Sequence, residues 1–266
     1  MGNEPSKGKS AKPSTSASSV LKNPLKSGPS SSVVHQHLAN ARKSRVLQLK
    51  NQGIKAIPEQ LAEVADVLRN LDLSQNKLKS FPPFIGAFVE LKQLHLSENL
   101  LEYLPDELGE LRKLEVLNVS GNRLKDVPKT IVGCSALRTL NLSQNELSSF
   151  PVVLCHLYDL DYLNLSQNRI TEFPDDIATL RASELVVSQN QLSRINSPAL
   201  SKCERLKTLR VDENCLAKEQ FDRRLLEESN IALISYAGNL FQDKDFQGLP
   251  GYESYQQRFT ATRRKM

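Results

Sequence analysis

The sequence predicts an α/β solenoid: a curved horseshoe with a parallel β-sheet on its concave side and short helical turns on its convex side. Three observations carry this expectation. First, the phrase L-x-x-L-x-L-x-x-N-x-L-x-x-F-P at residues 137–151 recurs along the chain. Its last strand position falls at Leu49, Leu73, Leu96, Val119, Leu142, Leu165, Val187, Val211 and, loosely, Tyr236, in steps of 22 to 25 residues. A fixed period in this range marks a repeat architecture. Second, L-x-L alternates with period two, which puts its leucines on one side of a short strand. Third, a proline closes six of the units (Pro58, Pro82, Pro105, Pro128, Pro151 and Pro174). Proline cannot donate to a ladder and suits the start of a helical turn. Such a unit cannot bury its apolar side alone, so neighbouring units must stack.

An asparagine follows three residues after the last strand position, at Asn76, Asn99, Asn122, Asn145, Asn168, Asn190, Asn214 and Asn239. The chain must turn inward there, and buried backbone groups need partners. An amide carries donors and an acceptor, so it can serve its own turn and the neighbouring coil together. The first unit has Gln52 instead, one methylene longer, and its turn is expected to be less regular.

Taken in order, residues 1–32 contain ten Ser, five Lys and four Pro, with Val20, Leu21 and Leu25 as the sizeable apolar residues. This composition reads as a disordered tail. It opens Met1-Gly2-Asn3-Glu4-Pro5-Ser6, the acceptor pattern for N-myristoylation of Gly2. One acyl chain holds a membrane only marginally. The available second signal is Lys7, Lys9, Lys12, Lys22 and Lys26, which anionic lipid attracts. No aromatics interleave these lysines, so nucleic acid is not the expected partner. Residues 33–43 carry Val34, Leu38 and Ala41 at helical spacing after Ser31-Ser32, a capping helix over the first unit. His35 and His37 do not share a helix face and do not read as a metal pair. Residues 44–241 are the nine repeats. The seventh has Asn196 in the proline place, and the eighth replaces that segment with an amphipathic run through Leu225 and Leu226. Residues 242–266 read as the opposite cap, with Tyr252, Tyr255 and Phe259 as an aromatic stripe on a helix.

Formal charge is +5, but residues 1–58 carry +9 and the remainder −4, so the basicity belongs to the N-terminal end. No apolar run approaches the ~18 residues of a membrane span, and the N-terminus lacks the apolar core of a secretory signal. Four cysteines stand singly at Cys134, Cys155, Cys203 and Cys215, which fits a reducing compartment and small buried side chains.

The column between the two strand leucines reads Gln48, Asp72, His95, Asn118, Asn141, Asn164, Val186, Arg210 and Ser235. Ser and Asn rows are what such repeats carry by default. The less ordinary concave positions are Asp72, His95, Tyr162, Glu184, Arg210 and Asp212, the candidates for contact with a protein partner. Asp72 and His95 fall in one column of adjacent units, within expected hydrogen-bonding reach, and Ser74 or Ser97 would complete a nucleophilic triad. An open sheet offers neither an enclosed pocket nor oxyanion donors, which argues against that chemistry. There is no P-loop, no H-E-x-x-H and no Cys/His ligand spacing, so no cofactor, metal or small-molecule substrate is expected.

The central units, in the form L-x-x-L-x-L-x-x-N-x-L-x-x-L-P, resemble intracellular leucine-rich repeat proteins. The ends narrow the resemblance: Met1-Gly2-Asn3, the segment Arg210-Val211-Asp212-Glu213-Asn214-Cys215-Leu216, Gly238-Asn239-Leu240-Phe241, and the terminus from Gly251 to Lys265. They imply a myristoylated, membrane-associated interaction protein on the cytoplasmic side, with no enzymatic activity. The expected function is a non-enzymatic scaffold that presents its concave sheet to a protein partner. The alternative is a soluble regulatory or targeting subunit in a phosphatase or small-GTPase signalling pathway, an analogy at the level of the fold.

Overall fold

The computed structural model describes residues 31–263. Helix α1 (Ser31–Ser44) leads into nine three-residue strands: β1 (Val46–Gln48), β2 (Asn70–Asp72), β3 (Gln93–His95), β4 (Val116–Asn118), β5 (Thr139–Asn141), β6 (Tyr162–Asn164), β7 (Glu184–Val186), β8 (Thr208–Arg210) and β9 (Leu233–Ser235). All nine pair in parallel in chain order. The register advances one full repeat per strand, so Leu47, Leu71, Leu94, Leu117, Leu140, Leu163, Leu185, Leu209 and Ile234 form one column. That column is buried, and a single continuous core runs from Leu38 to Tyr255. The repeat period thus becomes a leucine-rich repeat solenoid whose middle strand residue points inward and whose flanking residues line the open face.

The asparagine column holds the turns together. Asn145 Nδ2 donates to Leu142 O (2.9 Å), Ser143 O (3.1 Å) and, one repeat back, Val119 O (3.1 Å). Its Oδ1 accepts from Leu124 N (3.0 Å), also one repeat back. Asn76, Asn99, Asn122, Asn168, Asn190 and Asn214 repeat this pattern. The residue before each asparagine takes a left-handed backbone, from Gln75 (φ 57°) to Glu213 (φ 51°), with glycine only at Gly121 and Gly238. A residue with a Cβ accepts that conformation at a cost of about 1 kcal/mol, and the amide bonds of the same turn hold it there. The first turn differs as its Gln52 suggests. Gln52 is exposed, its amide reaches only Lys50 O, and both Asn51 and Gly53 take positive φ.

On the convex side, Pro58, Pro82, Pro105, Pro128, Pro151 and Pro174 each sit at the N-cap of a short 3-10 segment, one position earlier than a first helical residue. In the seventh unit Asn196 takes this place and caps α2 (Ser197–Leu200) through its side chain. In the eighth, a π-helical turn over Arg224–Glu228 buries Leu225 and Leu226. Neighbouring convex segments approach closely at Gly133, where a Cβ would lie 2.1 Å from Gly109 O.

The two ends are closed differently. Helix α1 starts at Ser31, two residues before the expected start of the helix, so Ser31 and Ser32 form its first turn rather than a cap. Leu38 and Ala41 from α1 enter the core. At the other end, α3 (Asp243–Gln247) and α4 (Tyr252–Arg263) cover β9. Phe246 meets Phe221, Tyr236, Tyr252 and Tyr255 at ring distances of 4.2–5.8 Å. Tyr255 Oη accepts from Ile234 N (3.1 Å), filling an edge position of the last strand. Arg258 donates to Leu226 O (2.6 Å) and Ile231 O (3.0 Å), satisfying carbonyls left over by the π-turn and its exit. Among the described residues no helix is long and apolar enough to cross a membrane.

Asn145→Ala should destabilise the protein by about 3 kcal/mol in urea unfolding, because it orphans the buried Leu124 N–H and removes one of the two hydrogen bonds at each of Val119 O, Leu142 O and Ser143 O. A loss under 1 kcal/mol would mean that water replaces the amide. Arg258→Met keeps the stem but removes the guanidinium, and should cost about 2 kcal/mol. An unchanged unfolding midpoint would show that the C-terminal carbonyls need no cap.

Candidate functional site

The flanking positions of the strands make two rows along the concave face. The inner-rim row runs Val46, Asn70, Gln93, Val116, Thr139, Tyr162, Glu184, Thr208 and Leu233, and the other row runs from Gln48 through Asp72 and His95 to Ser235. At ~4.8 Å per strand the sheet is roughly 38 Å across.

The six candidate residues separate into three groups. Asp72 and Asp212 are engaged in turns. Asp72 Oδ1 accepts from Ser74 N (2.9 Å) and Ser74 Oγ (2.6 Å). Asn118, Asn141 and Asn164 do the same for Ser120, Ser143 and Ser166. In the eighth repeat Arg210 occupies this column, and Asp212 serves the ninth repeat instead, its Oδ1 accepting from the column residue Ser235 Oγ (2.6 Å) and from Ala237 N (3.0 Å). Second, Tyr162, Glu184 and Arg210 come together across β6–β8. Tyr162 and Glu184 are register partners, and Arg210 Nε donates to Glu184 Oε1 (2.7 Å). Third, His95 lies alone in β3, three strands from Tyr162, about 14 Å away at the usual spacing.

The imagined triad is not assembled. Asp72 and His95 are register partners, yet Asp72 Oδ1 turns to Ser74 and no hydrogen bond joins the two side chains among the described residues. The reason is geometric: a short carboxylate at a strand end reaches its own turn N–H more easily than a neighbour across the sheet. Sequence reasoning missed the Glu184–Arg210 pair because its members belong to different columns of adjacent repeats. Gly2, Lys7, Lys9, Lys12, Lys22 and Lys26 lie outside the described residues.

The thiols are held away from chemistry. Cys134 Sγ donates to Leu108 O (3.2 Å) and Cys203 Sγ to Ile177 O (3.0 Å), the same contact in two repeats. Burial pushes the thiols of Cys134, Cys155 and Cys203 up to about 12. Because the folded values lie above the ordinary thiol value of 9.0, the neutral thiols favour the fold fully below pH 9, and this contribution disappears as pH rises toward 12. Cys215 is exposed. A thiol reagent at pH 8 should therefore label one cysteine quickly in the native protein and four after denaturation. Rapid labelling of two or more in the native state would contradict this burial.

A family profile described as leucine rich repeat matches residues 67–124 and 125–170. Among solved structures, an internalin (InlF) from Listeria monocytogenes superposes with a TM-score of 0.68 at 22% identity, covering 82% of this chain and 61% of that one. The leucine-rich repeat ectodomain of the receptor kinase GASSHO1/SCHENGEN3 from Arabidopsis thaliana, in complex with CASPARIAN STRIP INTEGRITY FACTOR 2, is 32% identical over 68% of this chain and 22% of that one, with a TM-score of 0.57. The plant peptide hormone receptor RGFR1 in complex with RGF2 is 25% identical over 73% and 32% of the respective chains, with a TM-score of 0.59. The chain thus spans less than two thirds of each of these three structures. Residues 67–170 are leucine-rich repeats, and the nine-stranded array as a whole has the fold of that family.

Proposed function

We propose that this protein is a non-enzymatic interaction scaffold that binds a protein partner on its concave sheet and is tethered to the cytoplasmic face of a membrane by an acylated Gly2. The observation that carries the binding role is the cluster of Tyr162, Glu184 and Arg210 on β6–β8. It joins an aromatic side chain to an ion pair whose members keep 43% and 30% of their side-chain surface open. Aromatic and guanidinium groups dominate the energy of protein interfaces. Two repeat proteins of similar fold are known in complexes with the ligands named above. The tether is supported by the pattern Met1-Gly2-Asn3-Glu4-Pro5-Ser6 and by Lys7, Lys9, Lys12, Lys22 and Lys26. The segments at both ends also resemble those of leucine-rich repeat-containing protein 57.

Proximity labelling in cells would identify partners, and Tyr162→Ala and Arg210→Ala would then be measured against the strongest one. Each substitution should weaken binding tenfold or more. Binding that survives both but fails on deletion of residues 1–30 would move the partner site to the tail. For the tether, cells fed a traceable myristate analogue should label the wild type and leave Gly2→Ala unlabelled and unbound to membranes. An unlabelled wild type would remove the anchor.

A further inference from the structure

The ion pairs of the solenoid are unevenly placed. Nine occur among the described residues, and every one uses residues from Glu90 onward. Most bridge neighbouring repeats, as Lys92–Glu115 and Arg181–Glu204 do. Ion pairing thus engages nine surface cations beyond Glu90 and none before it among the described residues. Between residues 42 and 79 the chain has eight Lys/Arg against four carboxylates, and no pair forms there among the described residues. Of those carboxylates, Asp72 is engaged with Ser74.

Three of these cations share one rim. Lys43 is in the last turn of α1, Arg45 follows it, and Arg69 N donates to Arg45 O (2.9 Å), so Arg45 and Arg69 are one strand spacing apart. All three are exposed. The nearby Glu90 is held below its ordinary value mainly by its hydrogen bond from Lys113, with the fields of Arg69 and Arg45 adding to it. Its carboxylate is therefore taken by Lys113 rather than by the rim. At its other end α1 is joined, through Ser31, to the segment that carries Gly2 and five lysines.

We propose that the rim of Lys43, Arg45 and Arg69 docks directly on anionic phospholipid, setting the α1 end of the solenoid against the bilayer and leaving the concave face open to its partner. The charge complementarity is direct: unpaired, exposed cations at one strand spacing suit a layer of phosphate and carboxylate headgroups, each cation contributing up to about fivefold in partitioning when close to the surface. The proposal relies on the tether reading only for which end of the solenoid meets the membrane.

The test uses the full chain, produced without acylation, and vesicles of phosphatidylcholine with or without 30% phosphatidylserine, at about 0.1 M salt. Binding should require phosphatidylserine. The triple variant K43E/R45E/R69E should lose at least tenfold. A control of equal charge change at the far end, K202E/K207E/K244E, should lose less than threefold. The milder K43Q/R69Q, with a native melting temperature, should lose about fivefold and guards against misfolding of the triple variant. Unchanged binding in the rim variants would overturn the proposal and assign the attraction to the tail lysines. Equal losses in rim and control variants would overturn it in favour of net charge alone. Tighter binding to a 20-nucleotide RNA than to vesicles, lost in the same rim variants, would overturn it in favour of nucleic acid. Acylation has no part in these measurements, so a failure of the Gly2 reading would leave rim binding intact and remain distinguishable.

Discussion

The structure depends on one recurring interaction, the buried amide that bridges two turns. A stack of three-residue strands forces the backbone inward every 22 to 25 residues, and each inward turn carries polar groups into the core. Leaving them unpaired would cost about 1–3 kcal/mol for each group. Because each asparagine bonds its own turn and the preceding one, the solution is shared between repeats. No unit is complete until its successor is folded, and that is the physical content of nearest-neighbour stability in a solenoid.

The same logic sorts the concave face. Asp72 and Asp212 look like functional acids when read one residue at a time. In the structure they complete turns, as Asn118, Asn141 and Asn164 do. What remains for recognition is the set with no turn to serve: Tyr162, the Glu184–Arg210 pair and, apart from them, His95. Asp212 shows how a repeat can satisfy its successor's turn from a position outside the usual column.

Much of the fold was legible in the sequence because its causes are periodic. Leucine spacing, the asparagine offset and the prolines each recur in register, and repetition separates a physical requirement from chance. The left-handed residue of every turn was hidden because Gln and Glu usually occupy it, where glycine would have announced it. Arg258 was equally silent: one of two arginines in the last helix, distinguished only by the carbonyls that the π-turn leaves open. The candidate surface was legible by column but not by diagonal, so the Tyr162–Glu184–Arg210 grouping appeared only in three dimensions.

The unequal closures give the array a direction. Of the described side chains on α1, Leu38 and Ala41 are buried, whereas the opposite end is locked by Phe246, Tyr255 and the Arg258 fork. In a stack whose units hold only their neighbours, opening starts where the last contact is weakest and runs inward. Amide exchange would thus be fastest at β1 and slow progressively toward β9, as a zipper opens from its unfastened end. A bilayer gripping the α1 rim would clamp that loose end, so that membrane attachment would also act as a folding restraint.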